Sequence, residues 1–532
     1  MVSGDWLVPR LGGVPHYAKP PWIYWCIAAS FKVFGIHEWT ARLPSALAGV
    51  VTALTVFALG RQMAGPLAGM LAALVLVSSF LFFSAARLIT PDMMLTACIT
   101  LSLYCFWRWW GSQPRSSRWL LGFYVALAIA FLDKGPVGIV VPFLAILGFV
   151  FLDGKIREFP KLGWMRGLLV VGVIALPWFL LICHLNPDLY DFYLKGEIKD
   201  RMLEGRGRGK CWYYFLMVLP IACWPWTALA VSAVRRHFQW WRRSEPPGSA
   251  ACFLLSWAVF PFILFTLSSS KLPTYILPLL APISLMLGLW LAHQMEEEGH
   301  SLPIWSHAAT WALLPGIGLA LKFATWRTLG DIPFLWFGFL MAGLILSLSG
   351  WVAARFLLKR RFVAACFIFW WSSALLLMQM ALVYMPGFET ELRHNSSWRT
   401  LTRLLNGKNL VGVPLPLDLH PSGQKPRFAR PGDRVVMYEF SFWSSGFYLM
   451  KERNEVVPLY GGSSLWEIGR DINAEAKLTR DDLLDLLKGS ETVYVFSRPR
   501  HLAELRRLSG MELPLIKSVS GGKYEVALFS NH

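Results

Sequence analysis

Charged side chains are scarce in this chain of 532 residues, at 16% of the total, whereas apolar residues make up 55%. A water-soluble protein of this length does not need so much apolar surface, so the balance excludes an ordinary soluble enzyme. Acidic residues are fewer than basic residues, with 33 Asp and Glu against 51 Lys and Arg. A basic excess is typical of proteins that bind nucleic acid, but here the basic residues lie between apolar runs, which argues against that partner.

Cysteine patterns typical of metal sites or disulfide frameworks are absent. Seven of the eight cysteines lie within apolar runs or in Trp22–Phe34, and residues 385–532 contain none. Cys183 and Cys211 flank the loop 184–211 and are able to pair, although nothing in the sequence requires it. No paired C-x-x-C is present, so the sequence indicates no metal site and no cofactor, and it leaves a divalent-metal requirement open.

Long apolar runs dominate the first 384 residues. Most contain 17–23 residues, which as a helix crosses a hydrocarbon core about 30 Å thick. We predict twelve membrane spans, at 40–60, 66–86, 93–110, 118–132, 136–152, 166–183, 212–234, 250–267, 273–293, 303–321, 333–354 and 362–384. The chain is therefore predicted to be a polytopic α-helical membrane protein.

Basic side chains are grouped in alternate loops between these spans. The four groups lie at 108–118, 155–166, 235–243 and 355–361. Loops rich in Lys and Arg stay in the cytoplasm, so we assign the other loops, and everything after residue 384, to the extracytoplasmic side. This topology explains the net charge of +18 without a nucleic-acid partner. The expected surroundings of the chain are membrane lipids.

Composition divides the chain into three predicted regions. Residues 1–39 form an outer loop with an interfacial helix at Trp22–Phe34, and residues 40–384 form the transmembrane domain. Residues 385–532 form a small α/β domain on the extracytoplasmic side. Its predicted strands are Asp433–Phe440, Glu455–Tyr460, Glu491–Phe496 and Tyr524–Phe529, and its predicted helices are Ser444–Lys451, Thr479–Leu487 and His501–Leu508.

Four breaks between spans place ionisable side chains on the extracytoplasmic side. These side chains are Lys19 before two prolines, Asp92 after Pro91, Lys134 before Gly135-Pro136, and Lys271 in Ser268-Ser269-Ser270-Lys271-Leu272-Pro273-Thr274-Tyr275. A charge at a membrane boundary is costly unless an opposite charge meets it there. Four such breaks on one face therefore predict an anion-binding site.

Each of these residues also has a simpler interpretation. Lys19 is able to extend its ammonium to the membrane surface. Asp92 stabilises the first turn of a helix, and Arg87 is a neighbour able to pair with it. Asp133 is the obvious partner for Lys134. The segment around Lys271 is the hardest to explain by packing alone.

The loop at 184–211 is rich in charges of both signs, which usually indicates a solvated face. Glu197 and Arg201 are four residues apart and would share one face of a helix. The glycines at 205–209 leave two interpretations open, a flexible lid or a loose loop.

Together these motifs resemble one family. The segments SGDWLVPRLGGVPHYAKPP, ITPD, DKGP, NPDLYDFY and SSSKLPTYILPLLAP are similar to those of the bacterial aminoarabinose (lipid A) transferases. The protein O-mannosyltransferases, which belong to the same GT-C class of membrane glycosyltransferases, are similar too. The resemblance covers residues 3 to about 290. It implies transfer of a sugar from a polyprenyl-phosphate donor to a lipid A, glycan or protein acceptor, on the periplasmic face of the bacterial inner membrane.

The resemblance also implies roles for individual residues, because a leaving phosphate monoester needs cations to stabilise its charge. Contacts with the carrier phosphate are implied for Lys19, Lys134, Arg201 and Lys271. Asp92 matches a carboxylate of the catalytic cavity. We place five further residues in the lining of that cavity, namely Tyr17, Arg87, Glu197, Ser270 and Tyr275.

Three positions depart from the family pattern. The principal catalytic carboxylate of the family precedes the SGDW-like segment, which here begins directly after Met1 and Val2. We therefore expect the main base upstream of Met1, together with one more helix and thirteen spans in all, and Asp92 is the best substitute among the residues present. Ile198 stands where relatives often carry histidine, and Ala18 where an acidic residue is common.

Two other functions remain open. A transporter of the carrier lipid would need polar groups at mid-span. A protein that binds polyprenyl phosphate without chemistry would need no base. Transfer of a labelled sugar to any acceptor separates the enzyme from both, and the sequence identifies neither the sugar nor the acceptor.

The expected upstream start is tested by the intact mass and the N-terminal peptide of the native protein from source-cell membranes. We expect a heavier chain whose first outer loop carries an acidic residue. A native chain that begins at Met1 would favour the carrier-binding protein over the enzyme.

Overall fold

The computed structural model describes most of the chain between residues 19 and 296 and short segments outside it. The described residues are 6–11, 14–15, 19–187, 189–191, 193, 210–243, 248–296, 352, 368, 434–438, 459–460, 485, 487–488, 493–497, 505–507, 509–510, 513, 515–521 and 524–530. The predicted span 303–321 lies outside them, and so do 333–354 and 362–384 apart from residues 352 and 368.

The chain divides into two compact units. One, here called the membrane unit, comprises Lys19–Lys322 and Trp336–Met380. The second comprises Met1–Ala18, Phe323–Leu335 and Ala381–His532.

The described part of the membrane unit is helical. Its helices are α1 (Trp22–Phe34), α2 (Glu38–Val77), α3 (Phe80–Ala85), α4 (Pro91–Trp110), α5 (Ser117–Lys134), α6 (Val137–Leu152), α7 (Trp164–Leu185), α8 (Tyr214–Ala222), α9 (Thr227–Arg243), α10 (Gly248–Leu267) and α11 (Leu280–Glu296). Two 3₁₀ helices, Ile156–Leu162 and Pro273–Leu279, precede α7 and α11. Helix α1 has the bounds predicted for the interfacial helix.

Helix α2 contains the first predicted span and most of the second. The two meet at a kink, where Ala64 and Gly65 leave helical geometry and Gly65 has a φ of +88°. Pro66 follows directly and provides no amide hydrogen for the helix before it. The second span ends early, because Ser78 and Ser79 separate α2 from α3.

The predicted span 212–234 is wrong as one continuous helix. It is divided into α8 and α9 at Cys223–Trp226, a segment that contains Pro225. Likewise, the predicted span at 273–293 begins as a 3₁₀ helix with prolines at 273 and 278. Proline lacks the amide hydrogen that a continuous α-helix requires in its interior, which explains why apolar composition alone misled the prediction.

The two interruptions, at Ser78–Ser79 and at Cys223–Trp226, bind each other. The Phe80 amide donates to the Trp224 carbonyl at 2.9 Å, and Trp226 Nε1 donates to Ser78 Oγ at 2.9 Å. Backbone polar groups within a membrane protein have to be satisfied by protein, so each break supplies partners that the other lacks.

Four described helical segments are long and apolar enough to cross a membrane, namely Glu38–Val77, Trp164–Leu185, Gly248–Leu267 and Pro273–Met295. Helix α7 exposes most of its apolar side chains, including Met165 at 80% and Leu168 at 69%. In contrast, α11 is almost entirely buried. These helices are candidate spans of a membrane protein, and α7 faces outward from its unit.

Close packing between α2 and α11 forms the centre of the membrane unit. A Cβ atom added at Gly288 of α11 would lie 2.5 Å from the Ala72 amide nitrogen and 2.6 Å from the Ala68 carbonyl oxygen. The backbones can approach this closely only because glycine has no side chain. Gly288 therefore sets the distance between the two helices.

The second unit contains a two-stranded hairpin and a five-stranded sheet. The hairpin pairs β1 (Arg10–Leu11) with β2 (Val14–Pro15). The sheet has the order β4-β3-β5-β7-β6 and is formed by β3 (Arg434–Tyr438), β4 (Leu459–Tyr460), β5 (Val493–Ser497), β6 (Leu515–Gly521) and β7 (Tyr524–Ser530). The first three strands pair in parallel and the last two pairs are antiparallel. No strand was predicted at Leu515–Gly521.

The tight contact at Gly288 is tested with a pair of glycine substitutions. We expect Gly288→Ala to destabilise the purified protein by about 1–3 kcal/mol, because the methyl group overpacks the interface with α2. In the matched variant Gly172→Ala on α7, the nearest atom is Leu176 Cδ1 at 3.7 Å. That variant should melt at or slightly above the wild-type temperature, since alanine favours helices. Equal melting temperatures for the two variants would contradict the packing argument.

Candidate functional site

The first element of the site is the N-terminus of α4. Thr90 is its N-cap in an extended conformation, Pro91 occupies the first helical position, and Asp92 lies in the first turn. A carboxylate there interacts favourably with the partial positive charge of the helix end. The Asp92 residue is only 6% exposed, so its charge requires further partners.

The second element is the C-terminus of α5, which delivers Lys134. Gly135 ends the helix with a φ of +75°, a conformation that residues with a Cβ rarely adopt. Lys134 Nζ donates a hydrogen bond to Asp92 Oδ1, which makes an ion pair between α5 and α4. The sequence suggested Asp133 as the partner of Lys134, and the structure corrects this to Asp92.

The third element is the 3₁₀ helix Pro273–Leu279, which packs against α4. The Tyr275 ring lies beside Lys134, with Nζ 4.7 Å from the ring centroid. The Thr274 hydroxyl lies within hydrogen-bonding reach of the Asp92 carboxylate. An ammonium over an aromatic face is held in place without being neutralised. Thr274 and Tyr275, at the start of the 3₁₀ helix, therefore hold the Asp92–Lys134 pair in place.

Lys271 is held in a different way. Its side chain is buried, at 4% exposed, and Nζ donates to the Ser268 carbonyl at 2.6 Å and to the Lys210 carbonyl at 3.4 Å. Carbonyl dipoles orient an ammonium but leave its full positive charge in place. Ser270 is buried beside it, and its carbonyl accepts a hydrogen bond from Ser268 Oγ at 3.3 Å.

Lys19 joins the site from the chain before α1. It is half-buried and lies close enough to Asp92 and Asp133 to interact with both electrostatically. The two prolines that follow it restrict the backbone, and α1 begins at Trp22. Lys19, Asp92, Lys134 and Tyr275 are thus four predicted site residues that the structure brings together.

Asp133 is a site residue that the sequence argument missed. It is 0% exposed, and neither carboxylate oxygen has a hydrogen-bond partner among the described residues. Its position next to Lys134 was visible in the sequence, but its lack of partners was not. Burial of a carboxylate without hydrogen-bond donors is costly, so Asp133 is an unusual residue in this site.

Four predicted site residues remain, of which the structure describes one, Arg87. The Arg87 guanidinium lies over the Phe83 ring, 5.5 Å from its centroid. Tyr17, Glu197 and Arg201 lie outside the described residues.

Taken together, the site has more positive than negative side chains. Lys19 and Lys134 interact electrostatically with Asp92 and Asp133, and Lys271 lies three residues before Thr274, which is within reach of Asp92. One positive charge is left over when these five side chains are ionised. Such a site is suited to an anion with several oxygen acceptors, of which phosphate is the common example. Among the described residues, no three His, Cys, Asp or Glu side chains are arranged to hold a metal ion.

Comparison with known proteins connects this geometry to a family. Residues 18–181 match the sequence profile described as dolichyl-phosphate-mannose-protein mannosyltransferase. A relative from Edwardsiella ictaluri, undecaprenyl phosphate-alpha-4-amino-4-deoxy-L-arabinose arabinosyl transferase, is 32% identical over 62% of this chain and 60% of its own length. The transferase of the same name from Pseudomonas paraeruginosa is 30% identical over 56% of this chain and 54% of its own.

Solved structures extend the similarity to the fold. The crystal structure of ArnT from Cupriavidus metallidurans bound to undecaprenyl phosphate matches with a TM-score of 0.79 at 19% identity, over 100% of this chain and 91% of that chain. The chain shares the fold of ArnT. The apo ArnT crystal structure gives a TM-score of 0.77. The resemblance to the aminoarabinose transferases and their GT-C relatives is confirmed, while the aligned region spans about 60% of the length of the Edwardsiella relative.

Mutual dependence of Asp92 and Lys134 is tested with a double-mutant cycle. We expect Asp92→Asn and Lys134→Met each to destabilise the protein by about 3–5 kcal/mol, because each leaves a buried charge unpaired. The double variant should be more stable than the sum of the two losses predicts. Thermal unfolding of the purified protein in detergent measures all four stabilities. Strictly additive losses would show that the two side chains do not stabilise each other.

Proposed function

We propose that this protein is a membrane glycosyltransferase that moves a sugar from a polyprenyl-phosphate donor to a lipid A, glycan or protein acceptor. The observation that supports this proposal is the Asp92–Lys134 ion pair with Lys19 and Tyr275 beside it, and the buried Lys271 three residues before Thr274, within a fold shared with ArnT. The names of the relatives indicate the donor to test first, undecaprenyl phosphate-linked 4-amino-4-deoxy-L-arabinose.

The proposed chemistry is attack by the acceptor on the anomeric carbon with polyprenyl phosphate as the leaving group. The bond from the anomeric carbon to the phosphate oxygen breaks, and its electron pair stays on the phosphate. The negative charge of the leaving phosphate therefore grows along the reaction, and cations placed there in advance stabilise the transition state more than the ground state.

Lys271 is the best-prepared cation for this role. Carbonyl groups of Ser268 and Lys210 hold its ammonium, so the charge is oriented but not compensated by a carboxylate in the described residues. Lys134, in contrast, is already paired with Asp92. Lys19 completes the site, with Arg201 as a further proposed phosphate ligand, and Tyr17, Arg87, Glu197, Ser270 and Tyr275 as proposed lining.

For Asp92 we favour a positioning role over that of the base. Its carboxylate accepts the hydrogen bond of Lys134 and lies within reach of the Thr274 hydroxyl. Removing a proton from an acceptor would require Asp92 to give up part of this arrangement. We propose no base among the described residues.

Topology completes the proposal. We infer about twelve spans in this chain, in the bacterial inner membrane. The five-stranded sheet of the second unit supports an α/β domain at residues 385–532, which the charge pattern assigns to the periplasm.

A transporter of the carrier lipid is less well supported than the transferase. Among the described residues, the buried Asp and Lys side chains are Asp92, Asp133 and Lys271, and they lie at helix ends or in a break. A transport path needs polar groups distributed across the membrane. A non-catalytic carrier-binding protein fits the same cation cluster, and transfer of labelled sugar separates it from the enzyme.

The assignment of Lys271 is tested by substitution. We expect Lys271→Ala to reduce transfer roughly 100-fold or more, since it removes a cation from the leaving phosphate, and Lys271→Arg to recover part of the rate. The control is Lys161→Ala, because Lys161 is an exposed lysine paired with Glu158 in a predicted cytoplasmic loop. Transfer is measured with labelled donor in proteoliposomes, alongside thermal unfolding of each variant. Near-normal transfer by a folded Lys271→Ala protein would overturn the assignment.

A further inference from the structure

Helix α9 has an outward side that the function proposed above does not use. On its inner side, Leu229, Ala233, His237 and Trp240 are buried. Their spacing of three to four residues places them along one side of the helix. This side packs within the membrane unit, where α9 contacts α10 and α11. The opposite side of α9 therefore faces away from these two helices.

The outward side of α9 combines apolar and basic side chains. Val231 is 68% exposed and Phe238 is 45% exposed, and Arg235 and Arg242 are exposed as well. Successive members of this set are four, three and four residues apart, so they form one stripe along the helix. Helix α9 contains no Asp or Glu. The stripe, here called the α9 face, is thus positively charged with an apolar component.

Three arginines of α9 form no ion pair within the described part of the chain, namely Arg235, Arg236 and Arg242. The Arg242 guanidinium lies over the Phe238 ring, 5.9 Å from its centroid. Arg236, at the edge of the α9 face, lies over the Trp240 ring at 5.4 Å, and its buried Nε has no hydrogen-bond acceptor among the described residues. An aromatic ring orients a guanidinium without neutralising it, so these charges are available to an anion.

The order of side chains along the α9 face matches the boundary between lipid chains and headgroups. Val231 lies within the apolar run 212–234, and Arg235 and Arg242 lie in the predicted cytoplasmic group 235–243. At 1.5 Å per residue the two arginines are about 10 Å apart along the axis, with Phe238 between them. An exposed phenylalanine is favourable against acyl chains, whereas guanidinium groups bind phosphate through paired hydrogen bonds. A ligand with both components fits this surface.

We propose that the α9 face binds an anionic phospholipid of the cytoplasmic leaflet, of the phosphatidylglycerol class. Arg235 and Arg242 contact the phosphate of its headgroup, while Phe238 and Val231 lie against its acyl chains. Anionic lipids attract basic segments at this leaflet, which supplies the complementary charge. The carrier site is a different place, because its lysines lie in breaks that the charge pattern assigns to the opposite side of the membrane. Lipid binding at α9 requires no transfer of a sugar.

A bound lipid stabilises the folded protein. Helix α9 packs against α11, which forms the centre of the membrane unit together with α2. A ligand that binds the folded state and not the unfolded state raises the melting temperature in proportion to the logarithm of its concentration. Phosphatidylglycerol should therefore raise the melting temperature of the wild type more than uncharged phosphatidylcholine does.

The test is native mass spectrometry of the full chain, stripped of lipid in detergent and titrated with dioleoyl phosphatidylglycerol or dioleoyl phosphatidylcholine. We expect the wild type to bind phosphatidylglycerol more tightly, and the double variant Arg235→Gln/Arg242→Gln to lose about tenfold or more of that affinity. Arg235→Lys/Arg242→Lys keeps both charges and should retain part of the selectivity. The matched control Arg157→Gln/Arg166→Gln removes two exposed arginines from another predicted cytoplasmic loop and should bind as the wild type does.

Three outcomes would overturn the lipid site. Equal affinity of the wild type for the two lipids would show that its lipid contacts do not select charge. Equal losses in the α9 variant and in the control would show that total charge decides binding and that α9 is not a site. A dimer of the wild type that dissociates in Phe238→Ala, seen in the same spectra, would show that a second copy of the chain covers the α9 face. Should the double variant not fold, Arg235→Gln and Arg242→Gln are compared singly with Arg157→Gln.

Discussion

The cost of burying charge at the edge of an apolar helix bundle governs the arrangement of this site. Asp92 begins α4 and is buried, Lys134 ends α5 with 12% of its side chain exposed, and their ion pair compensates both charges. The pair requires that the start of one helix meets the end of the next. Gly135 makes this possible by turning the chain immediately after Lys134 in a conformation that a residue with a Cβ rarely adopts. The 3₁₀ helix Pro273–Leu279 then packs against α4.

Two classes of cation result from this arrangement. Lys134 is compensated by a carboxylate and steadied by the Tyr275 ring, so it defines the geometry of the site. Among the described residues, Lys271 is oriented by carbonyl groups and pairs with no carboxylate. The proposed binding and release of phosphate would benefit from both classes, because a fully uncompensated set of buried lysines would destabilise the fold.

Apolar run length predicted the individual helices well where a run ended at charges or at a Gly-Pro pair. Helices α4, α5, α6, α7 and α10 lie close to the expected spans because such signals bound them. It failed at Cys223–Trp226 and at Pro273–Leu279, where prolines coincide with an interruption of the α-helix. Hydropathy does not distinguish these prolines from Pro142, Pro177 and Pro261, which lie within continuous helices. The total number of spans stays a prediction.

For the site, the sequence identified the breaks but not the contacts between them. That Asp92, Lys134 and Tyr275 lie together depends on how α4, α5 and the 3₁₀ helix pack, which no local pattern encodes. The expected pairing of Asp133 with Lys134 was wrong because adjacent residues on a helix point in different directions. The roles of these residues in binding and transfer stay predictions.

The paired interruptions at Ser78–Ser79 and Cys223–Trp226 bear on how the protein is made. The Phe80 amide and Ser78 hydroxyl find their partners in Trp224 and Trp226, which are synthesised after the described helices α4 to α8. During synthesis, the polar groups of the first break therefore lack these two partners until the chain has grown past residue 226. The contacts that complete the α2–α3 break thus form late in synthesis.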